Sequence, residues 1–234
     1  MKIAILAGGL GTRLGSLTRD TPKSMVKICG KPFLEYQLEL LRKQNLEDIV
    51  LCVGHLKDKI QSYFGDGSRF GVRIEYGEEE EPLGTAGALR NAGHLLGDDF
   101  LVLNGDSYLA IDYGEVIERY KLGNKLGLMV VYRNNNRYDK SNVMIADGLV
   151  TNYDRSGRME GMSYIDYGLS VLNRKALEFV PQGKFLQLDD VYRELIRRRE
   201  LMAFETQVRF YEVGSVQGLE GFTKIVERGQ IPEC

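Results

Sequence analysis

The chain has 234 residues, of which 43% are hydrophobic and 27% charged, as is ordinary for a globular protein. Its 31 basic and 33 acidic residues give a formal net charge of −2, so composition offers no electrostatic case for binding nucleic acid or an anionic membrane. No apolar run approaches the roughly 20 residues of a membrane span, and the N-terminus lacks the layout of a signal peptide.

Cysteine and histidine are too sparse to build a disulfide framework or a zinc site. The three cysteines are Cys29, Cys52 and Cys234, and the two histidines are His55 and His94, none of them at ligand spacing. We expect both histidines to be structural. A reducing, cytoplasmic location fits this usage.

The first half of the sequence alternates apolar strands with helical segments. In chain order we predict strands at 2–7, 48–53, 72–76 and 100–103, with helices at 32–45, 55–64 and about 86–96. Short connections in a βαβ order imply a parallel sheet with helices on both faces. Ligands then bind at the carboxyl ends of the strands.

The second half is richer in strands. We predict a helix at 114–121, strands at 126–133, 142–145, 150–153 and 164–172, a helix at 188–199, a last strand at 209–213 and a closing helix at 216–228. The expected fold is a single α/β domain over 1–234, with a three-layer, Rossmann-like, mixed and mostly parallel sheet flanked by helices. Its first half, 1–110, would carry the site, and its β-rich second half, 111–234, would cover it.

A glycine-rich loop follows the first strand. Gly8, Gly9 and Gly11 are followed by Arg13 and, after Thr-Pro, by Lys23. Glycine lets backbone N–H groups approach an anion, a helix starting beyond the loop adds its positive end, and the two cations supply full charge. We interpret residues 6–23 as a triphosphate cradle; the alternative is a tight turn whose glycines serve packing alone.

Two familiar phosphate motifs do not fit this loop. A Walker A motif requires Gly-x-x-x-x-Gly-Lys-Ser/Thr, which is absent, and the dinucleotide fingerprint requires glycine where Leu14 stands. The loop instead resembles that of the sugar-1-phosphate nucleotidyltransferases, which make nucleoside-diphosphate sugars. Motifs that match in order are 8–14, 21–23, 82–86, 103–106, 167–169 and 210–214. Within that family the chain is most similar to the short, single-domain heptose- and mannose-1-phosphate guanylyltransferases.

The resemblance implies a metal-dependent transfer of a nucleoside monophosphate from a nucleoside triphosphate to a sugar 1-phosphate. The first half would bind the nucleotide and the second half the sugar phosphate. Arg13, Lys23 and Asp106 are the expected catalytic residues, and Asp106 and Glu212, each ending a predicted strand, the expected ligands of Mg²⁺ (or Mn²⁺). The alternative for Asp106 is a turn-capping Asn-Gly-Asp.

Binding residues follow from the same motifs. Those expected at the nucleotide are Leu6, Ala7, Gly8, Gly9, Gly11, Thr12, Arg13, Lys23, Glu79, Pro82, Gly84 and Thr85. Those expected at the sugar phosphate are Gly105, Arg155, Asp166 and Gly168. A second lysine of the family is missing here; Arg155 or Arg158 can replace it, or their loop is simply solvated.

Base preference is indicated by one residue. Relatives that use uracil or thymine commonly place glutamine three residues before the loop proline, where this chain has Glu79. A carboxylate only accepts hydrogen bonds, so it suits the adjacent N1–H and amino donors of guanine, with cytosine second. We predict GTP as the donor.

Three alternatives stay open. The enzyme could be a uridylyl- or cytidylyltransferase for another sugar 1-phosphate, or act on a phosphorylated alcohol such as phosphocholine. A non-catalytic nucleotide-sensing subunit is the alternative of another class. The expected partners are the two small substrates, with no nucleic acid and no membrane, and a homodimer is left open.

Overall fold

The computed structural model describes residues 1–9 and 11–232; for Thr12, Arg13 and Ser16 it describes the backbone alone. The strands are β1 Lys2–Leu6, β2 Lys27–Ile28, β3 Lys31–Pro32, β4 Asp48–Val53, β5 Arg73–Glu78, β6 Asp99–Asn104, β7 Ser107–Tyr108, β8 Gly127–Arg133, β9 Val143–Ala146, β10 Leu149–Tyr153, β11 Tyr164–Asn173, β12 Leu201–Thr206 and β13 Tyr211–Glu212. The α-helices are α1 Phe33–Lys43, α2 Lys57–Phe64, α3 Gly84–Asn91, α4 Tyr113–Gly123, α5 Leu188–Arg197 and α6 Val216–Glu227. Short 3₁₀ helices cover Thr12–Thr18, Lys23–Met25, Ser68–Phe70, Ala92–His94 and Arg174–Phe179.

One nine-stranded sheet runs through both halves, in the order β5-β4-β1-β6-β11-β8-β12-β10-β9. The first four strands are parallel, as the βαβ order predicted. Strand β11 then runs antiparallel to both β6 and β8, while β8 and β12 are parallel to each other. The predicted α/β fold with a mixed sheet is confirmed, and within this nine-stranded sheet every antiparallel pairing involves a strand of the second half.

Helices cover both faces of this sheet because successive strand residues point to opposite sides. On β1, Ile3 and Ile5 belong to one apolar cluster and Ala4 belongs to another. Helices α1, α2, α4 and α6 contribute buried residues to the first cluster, and α3 and α5 to the second. The expected three-layer arrangement is therefore present.

Strand β12 was missed by the sequence prediction, which also placed the last strand too broadly at 209–213. Leu201, Met202 and Ala203 are helix-favouring residue types, so pairing with β8 and β10 on its two sides makes this segment a strand. Of the strand predicted at 209–213, only Tyr211–Glu212 form a strand, which pairs with β7. The preceding residues 207–209 are exposed.

Parallel register brings the ends of β1, β4 and β6 to one edge of the sheet. Leu6 lies opposite Cys52 on one side and Asn104 on the other. The segments that follow these strands therefore converge, and they carry most of the predicted site. In the described part of the chain, no helix has both the length and the apolarity needed to span a membrane.

Candidate active site

A cleft of about 930 Å³ opens at this edge of the sheet. The predicted residues that line it are Leu6, Ala7, Gly8, Gly9, Gly11, Lys23, Glu79, Pro82, Gly84, Thr85, Gly105, Asp106 and Arg155. The side chains of Thr12 and Arg13 lie outside the described part of the structure, so their predicted contacts stay predictions. His55, expected to be structural, is exposed at the cleft wall.

The glycine loop forms the floor of the cleft. A Cβ at Gly8 would lie 2.8 Å from Oε1 of Glu79, and a Cβ at Gly11, where φ is +65°, would lie 2.9 Å from Cγ2 of Thr18. The next element is a 3₁₀ helix interrupted by non-helical backbone at Gly15, not the α-helix whose positive end we expected. Backbone N–H groups and cations, rather than a helix dipole, are thus the available anion ligands.

Lys23 and Asp106 form an ion pair across the cleft. Lys23 begins the short 3₁₀ turn Lys23–Met25, and Asp106 follows β6, so residues 83 positions apart meet at the sheet edge. The sequence predicted a phosphate-binding cation and a metal-binding carboxylate. The structure brings these two charges into direct contact.

The backbone around Asp106 is held by its neighbours. The N–H of Gly105 donates to the carbonyl of Leu6 at 3.1 Å, and the N–H of Val213 donates to the carbonyl of Asp106 at 2.8 Å. A Cβ at Gly105 would lie 2.6 Å from the Leu6 carbonyl oxygen, so this approach to β1 requires glycine. Pairing of β7 with β13 sets Glu212 opposite Ser107.

The carboxylates of Asp106 and Glu212 converge beside Gly214. A Cβ at Gly214 would lie 2.6 Å from Lys23 Nζ, 2.8 Å from Glu212 Oε2 and 2.9 Å from Asp106 Oδ2. Glu212 does not line the cleft itself, because its carboxylate accepts hydrogen bonds from the N–H groups of Gly214 and Ser215 and from the Ser215 hydroxyl. One point is thus surrounded by two carboxylates and one ammonium group.

This donor set fits a magnesium-type ion. Among the described residues there is no cluster of three or more histidine, cysteine, aspartate or glutamate side chains that could hold a metal. Mg²⁺ is commonly held by one or two carboxylates, with substrate phosphates and water completing its oxygen shell. Asp106 and Glu212 match that requirement, whereas a transition-metal site would need softer or more numerous ligands.

Gly214→Ala should lower kcat about 10–100-fold, because the added methyl group would displace the three charged groups by van der Waals overlap. Steady-state kinetics and the melting temperature would check this. Gly221→Ala, on α6, is the matched control, because the added Cβ would meet nothing within 4 Å apart from its chain neighbours and the backbone of its own helix. It should keep wild-type kcat; equal losses in both variants would contradict the assignment.

Glu79 lies in the nucleotide half of the cleft. Its Oε2 accepts a hydrogen bond from the N–H of Leu83 at 3.0 Å. Its Oε1 faces Gly8 and Gly54, where an added Cβ would come within 2.8 Å, and it accepts no hydrogen bond from the described part of the chain. Burial raises the pKa of Glu79, and the Leu83 N–H counteracts this. A partly desolvated carboxylate with one open oxygen is thus available to a ligand.

Residues 183–188 form a cleft wall that the sequence analysis did not predict. The carbonyl of Leu186 accepts from the N–H groups of Ala86 and Gly87 at 3.0 and 3.2 Å, and Thr85 bonds Gln187 and the N–H of Leu188. Gly84, at φ +73°, would bring a Cβ within 2.5 Å of the Leu186 carbonyl. Phe185 and Gln187 line the cleft as a result, although they come from about 100 residues downstream and belong to no local motif.

The structure distinguishes between the two candidate arginines. Arg155 lines the cleft, and its guanidinium lies 3.6 Å from a carboxylate oxygen of Asp189 on α5. Arg158 is exposed and does not line the cleft, and its backbone N–H donates to Asp154. Asp189, which the sequence did not predict, therefore pairs with Arg155, which of these two arginines is the one that lines the cleft.

Asp166 and Gly168 are not among the residues that line this cleft, so their predicted contacts with the sugar phosphate stay predictions. Asp166 accepts from the Gly168 N–H at 2.9 Å and lies 3.5 Å from the Tyr153 hydroxyl, so its carboxylate is engaged by the protein. A Cβ at Gly168, where φ is +86°, would lie 3.0 Å from Nδ2 of Asn104, so this glycine permits close contact with the segment before Asp106. Gly168 thus connects the Asp166 carboxylate to the strand end that precedes Asp106.

Burial, reinforced by Asp189, raises the pKa of Asp166 to about 6, although the Gly168 N–H, Tyr153 and Arg155 lower it. Because the folded pKa exceeds the unfolded value of about 4, the folded protein binds the extra proton, and stability falls as pH rises from 4 to 6. Asp166→Asn should therefore gain melting temperature over wild type as pH rises, by about 3 °C at pH 7.5 and near zero at pH 4. Thermal scans across this range test it; a pH-independent difference would contradict the shift.

Comparisons with known proteins agree with this geometry. Residues 2–147 match the family model described as nucleotidyl transferase. A D-glycero-alpha-D-manno-heptose 1-phosphate guanylyltransferase from Campylobacter jejuni is 36% identical over 188 residues, which are 79% of this chain and 82% of that protein. A UTP–glucose-1-phosphate uridylyltransferase from Synechocystis sp. is 30% identical over 84% of this chain, which spans only 55% of that protein.

A solved structure shares the whole fold. The crystal structure of HddC from Yersinia pseudotuberculosis complexed with GMP-PN superimposes with a TM-score of 0.82 at 29% identity, covering 96% of this chain and 99% of that one. Family model, relative and fold thus agree with the motifs read from the sequence. The chain belongs to the nucleotidyl transferase family.

Proposed function

We propose that this enzyme transfers a nucleoside monophosphate from a nucleoside triphosphate, preferably GTP, to a sugar 1-phosphate and releases pyrophosphate. The observation that carries the proposal is the convergence of Lys23, Asp106 and Glu212 on one point beside the glycine-lined cleft. The named activity of the Campylobacter relative supports the acceptor class. The Yersinia structure, solved with GMP-PN, supports the donor class.

The reaction requires positioning and charge neutralisation more than proton transfer. A phosphate oxygen of the sugar 1-phosphate attacks the α-phosphorus of the triphosphate, and the bond from that phosphorus to the bridging oxygen of pyrophosphate breaks. The second pKa of a phosphate monoester is about 6, so the nucleophile is already largely ionised at neutral pH. The difficulty is holding two polyanions in line, which electrostatic preorganisation addresses.

The residues divide this task between them. Lys23 neutralises the triphosphate and the leaving pyrophosphate, aided by Arg13 and the N–H groups of the glycine loop. Asp106 and Glu212 would hold Mg²⁺ or Mn²⁺, which neutralises phosphate charge when bound. Lys23 pairs with Asp106 in this structure. When the substrates and the cation bind, Lys23 would contact phosphate and Asp106 would contact the cation in place of this ion pair.

The acceptor lies toward the second half of the chain. Arg155 is the cation that lines this part of the cleft, and a guanidinium can bind a phosphate through two parallel hydrogen bonds. Asp189 restrains that guanidinium without burying it, since the Arg155 side chain keeps 55% of its exposure. Arg155 thus takes the place of the family's second lysine in this proposal.

Glu79→Gln should reverse the base preference. Guanine N1–H and its amino group need an acceptor, whereas the amide offers a donor and an acceptor that suit uracil. Loss of a charge-assisted hydrogen bond worth roughly 1.5–3 kcal/mol predicts that kcat/KM for GTP falls about 10–100-fold, with a gain for UTP. Pyrophosphate release with each of the four triphosphates measures this.

Glu80→Gln is the matched control, because Glu80 also lines the cleft and is exposed. It should leave the order of the four triphosphates unchanged. A wild-type enzyme that prefers UTP or dTTP would overturn the assignment of Glu79, and so would an unchanged preference in Glu79→Gln.

A further inference from the structure

Helix α1 holds the segment that carries Asp106 through a buried glutamine. The side-chain amide of Gln37 donates to the carbonyl of Asn104 at 2.9 Å and to the carbonyl of Ser107 at 2.7 Å. These carbonyls lie on either side of Gly105 and Asp106. Both N–H groups of one side chain therefore bridge the turn that presents the carboxylate.

This bridge completes a set of supports for the turn. Gly105 is bonded to β1 through Leu6, and Asp106 is bonded to the segment after β13 through Val213. Gln37 adds a third contact, from helix α1, which packs against this face of the sheet. A turn held from three sides gives its carboxylate a fixed place relative to Lys23 and Glu212.

The choice of glutamine here is costly for stability. Gln37 is only 1% exposed and lies on the apolar face of α1 with Leu34, Leu38 and Leu41. Its Oε1 is buried and has no hydrogen-bond partner among the described residues. An unsatisfied buried acceptor costs about 1–3 kcal/mol, whereas the amide N–H groups of the same side chain satisfy two carbonyls that a leucine or methionine would leave without this donor. The side chain therefore holds the turn around Asp106 as well as filling the core.

We propose that Gln37 is a positioning residue, which sets the Asp106 carboxylate for the cation and for Lys23. This inference rests on the proposed function for its catalytic consequence, but its structural part does not. Gln37 does not line the cleft and bonds the turn through the backbone carbonyls of Asn104 and Ser107.

The chain provides a matched control two helical turns away. Gln44, at the C-terminal end of α1, donates to the carbonyl of Ile111 at 3.0 Å and accepts from the N–H of Tyr113 at 2.9 Å. It thus fixes the same segment, 104–113, at the end remote from Asp106. A general loosening of the segment would follow from either glutamine, whereas mispositioning of Asp106 would follow from Gln37 alone.

The test compares Gln37→Met with Gln44→Met in the full-length protein. For Gln37→Met we expect kcat to fall about 10–100-fold, with KM for both substrates within about threefold and Mn²⁺ binding, measured by electron paramagnetic resonance, weakened about tenfold. Gln44→Met should keep kcat and Mn²⁺ affinity within about twofold. Equal kinetic losses in both variants, or wild-type kcat and Mn²⁺ affinity in Gln37→Met, would overturn the proposal.

Amide hydrogen exchange separates this proposal from the proposed function. Gln37→Met should accelerate exchange at residues 105–108, and Gln44→Met at residues 111–113. If the wild-type protein released no pyrophosphate, the proposed function would fail. The same exchange pattern would still show that Gln37 holds the turn around Asp106. Unchanged exchange at 105–108 in a folded Gln37→Met would refute the role directly.

Discussion

Asp106→Asn should lower kcat by about 10³-fold while the protein stays folded. The substitution keeps the shape of the side chain but removes the charge that faces Lys23 and, with Glu212, would hold the cation. Its backbone contacts with Val213 are unaffected by the change, so the turn should persist. Steady-state pyrophosphate release and a thermal scan measure the two effects.

Asp112→Asn provides the control for this prediction. Asp112 lies on the same segment, is exposed, and caps α4 by accepting from the N–H of Glu115 at 3.1 Å. Asparagine caps helices about as well as aspartate, so this variant should retain wild-type kcat and stability. Turnover close to wild type in Asp106→Asn would exclude Asp106 from the catalytic machinery.

Lys23→Met should also reduce kcat about 10³-fold, because the methionine keeps the aliphatic stem and loses the ammonium that neutralises pyrophosphate. KM for the triphosphate should rise as well, since the same charge serves the ground state. Lys27→Met, four residues on and exposed, should behave as wild type. If Lys23→Met retained turnover within tenfold, the phosphate role of Lys23 would be wrong.

The double variant of Lys23 and Asp106 adds information that neither single variant gives. The two side chains are in contact, so their losses should not add, and the double variant should be little worse than either single one. If the fold-loss in kcat of the double variant equalled the product of the two single losses, Lys23 and Asp106 would act independently. That result would contradict their action at one shared point beside Gly214.

Much of the site was accessible from the sequence because its parts follow strand ends. The glycine loop comes directly after β1, and Asp106 comes directly after β6, so parallel pairing alone places them together. Glu212 was found through a motif, and its pairing with Ser107 explains why it lies near Asp106.

Other features depend on tertiary contacts that no local pattern encodes. Phe185 and Gln187 reach the cleft only because the carbonyl of Leu186 meets the first turn of α3. Asp166 was assigned to the sugar from a motif, and no local pattern showed that the Tyr153 hydroxyl would lie 3.5 Å from its carboxylate. Gln37 did leave a signal, since it is a polar residue at an apolar position of α1, but its partners are about 70 residues away.

Phosphorus NMR of the full-length protein with GTP, Mg²⁺ and a mannose or heptose 1-phosphate tests the central claim most directly. We expect the signals of the triphosphate and the sugar phosphate to disappear together. The two coupled signals of a nucleoside-diphosphate sugar and the single signal of pyrophosphate should replace them. Release of orthophosphate and GDP, or an unchanged spectrum with all four triphosphates and these acceptors, would contradict it.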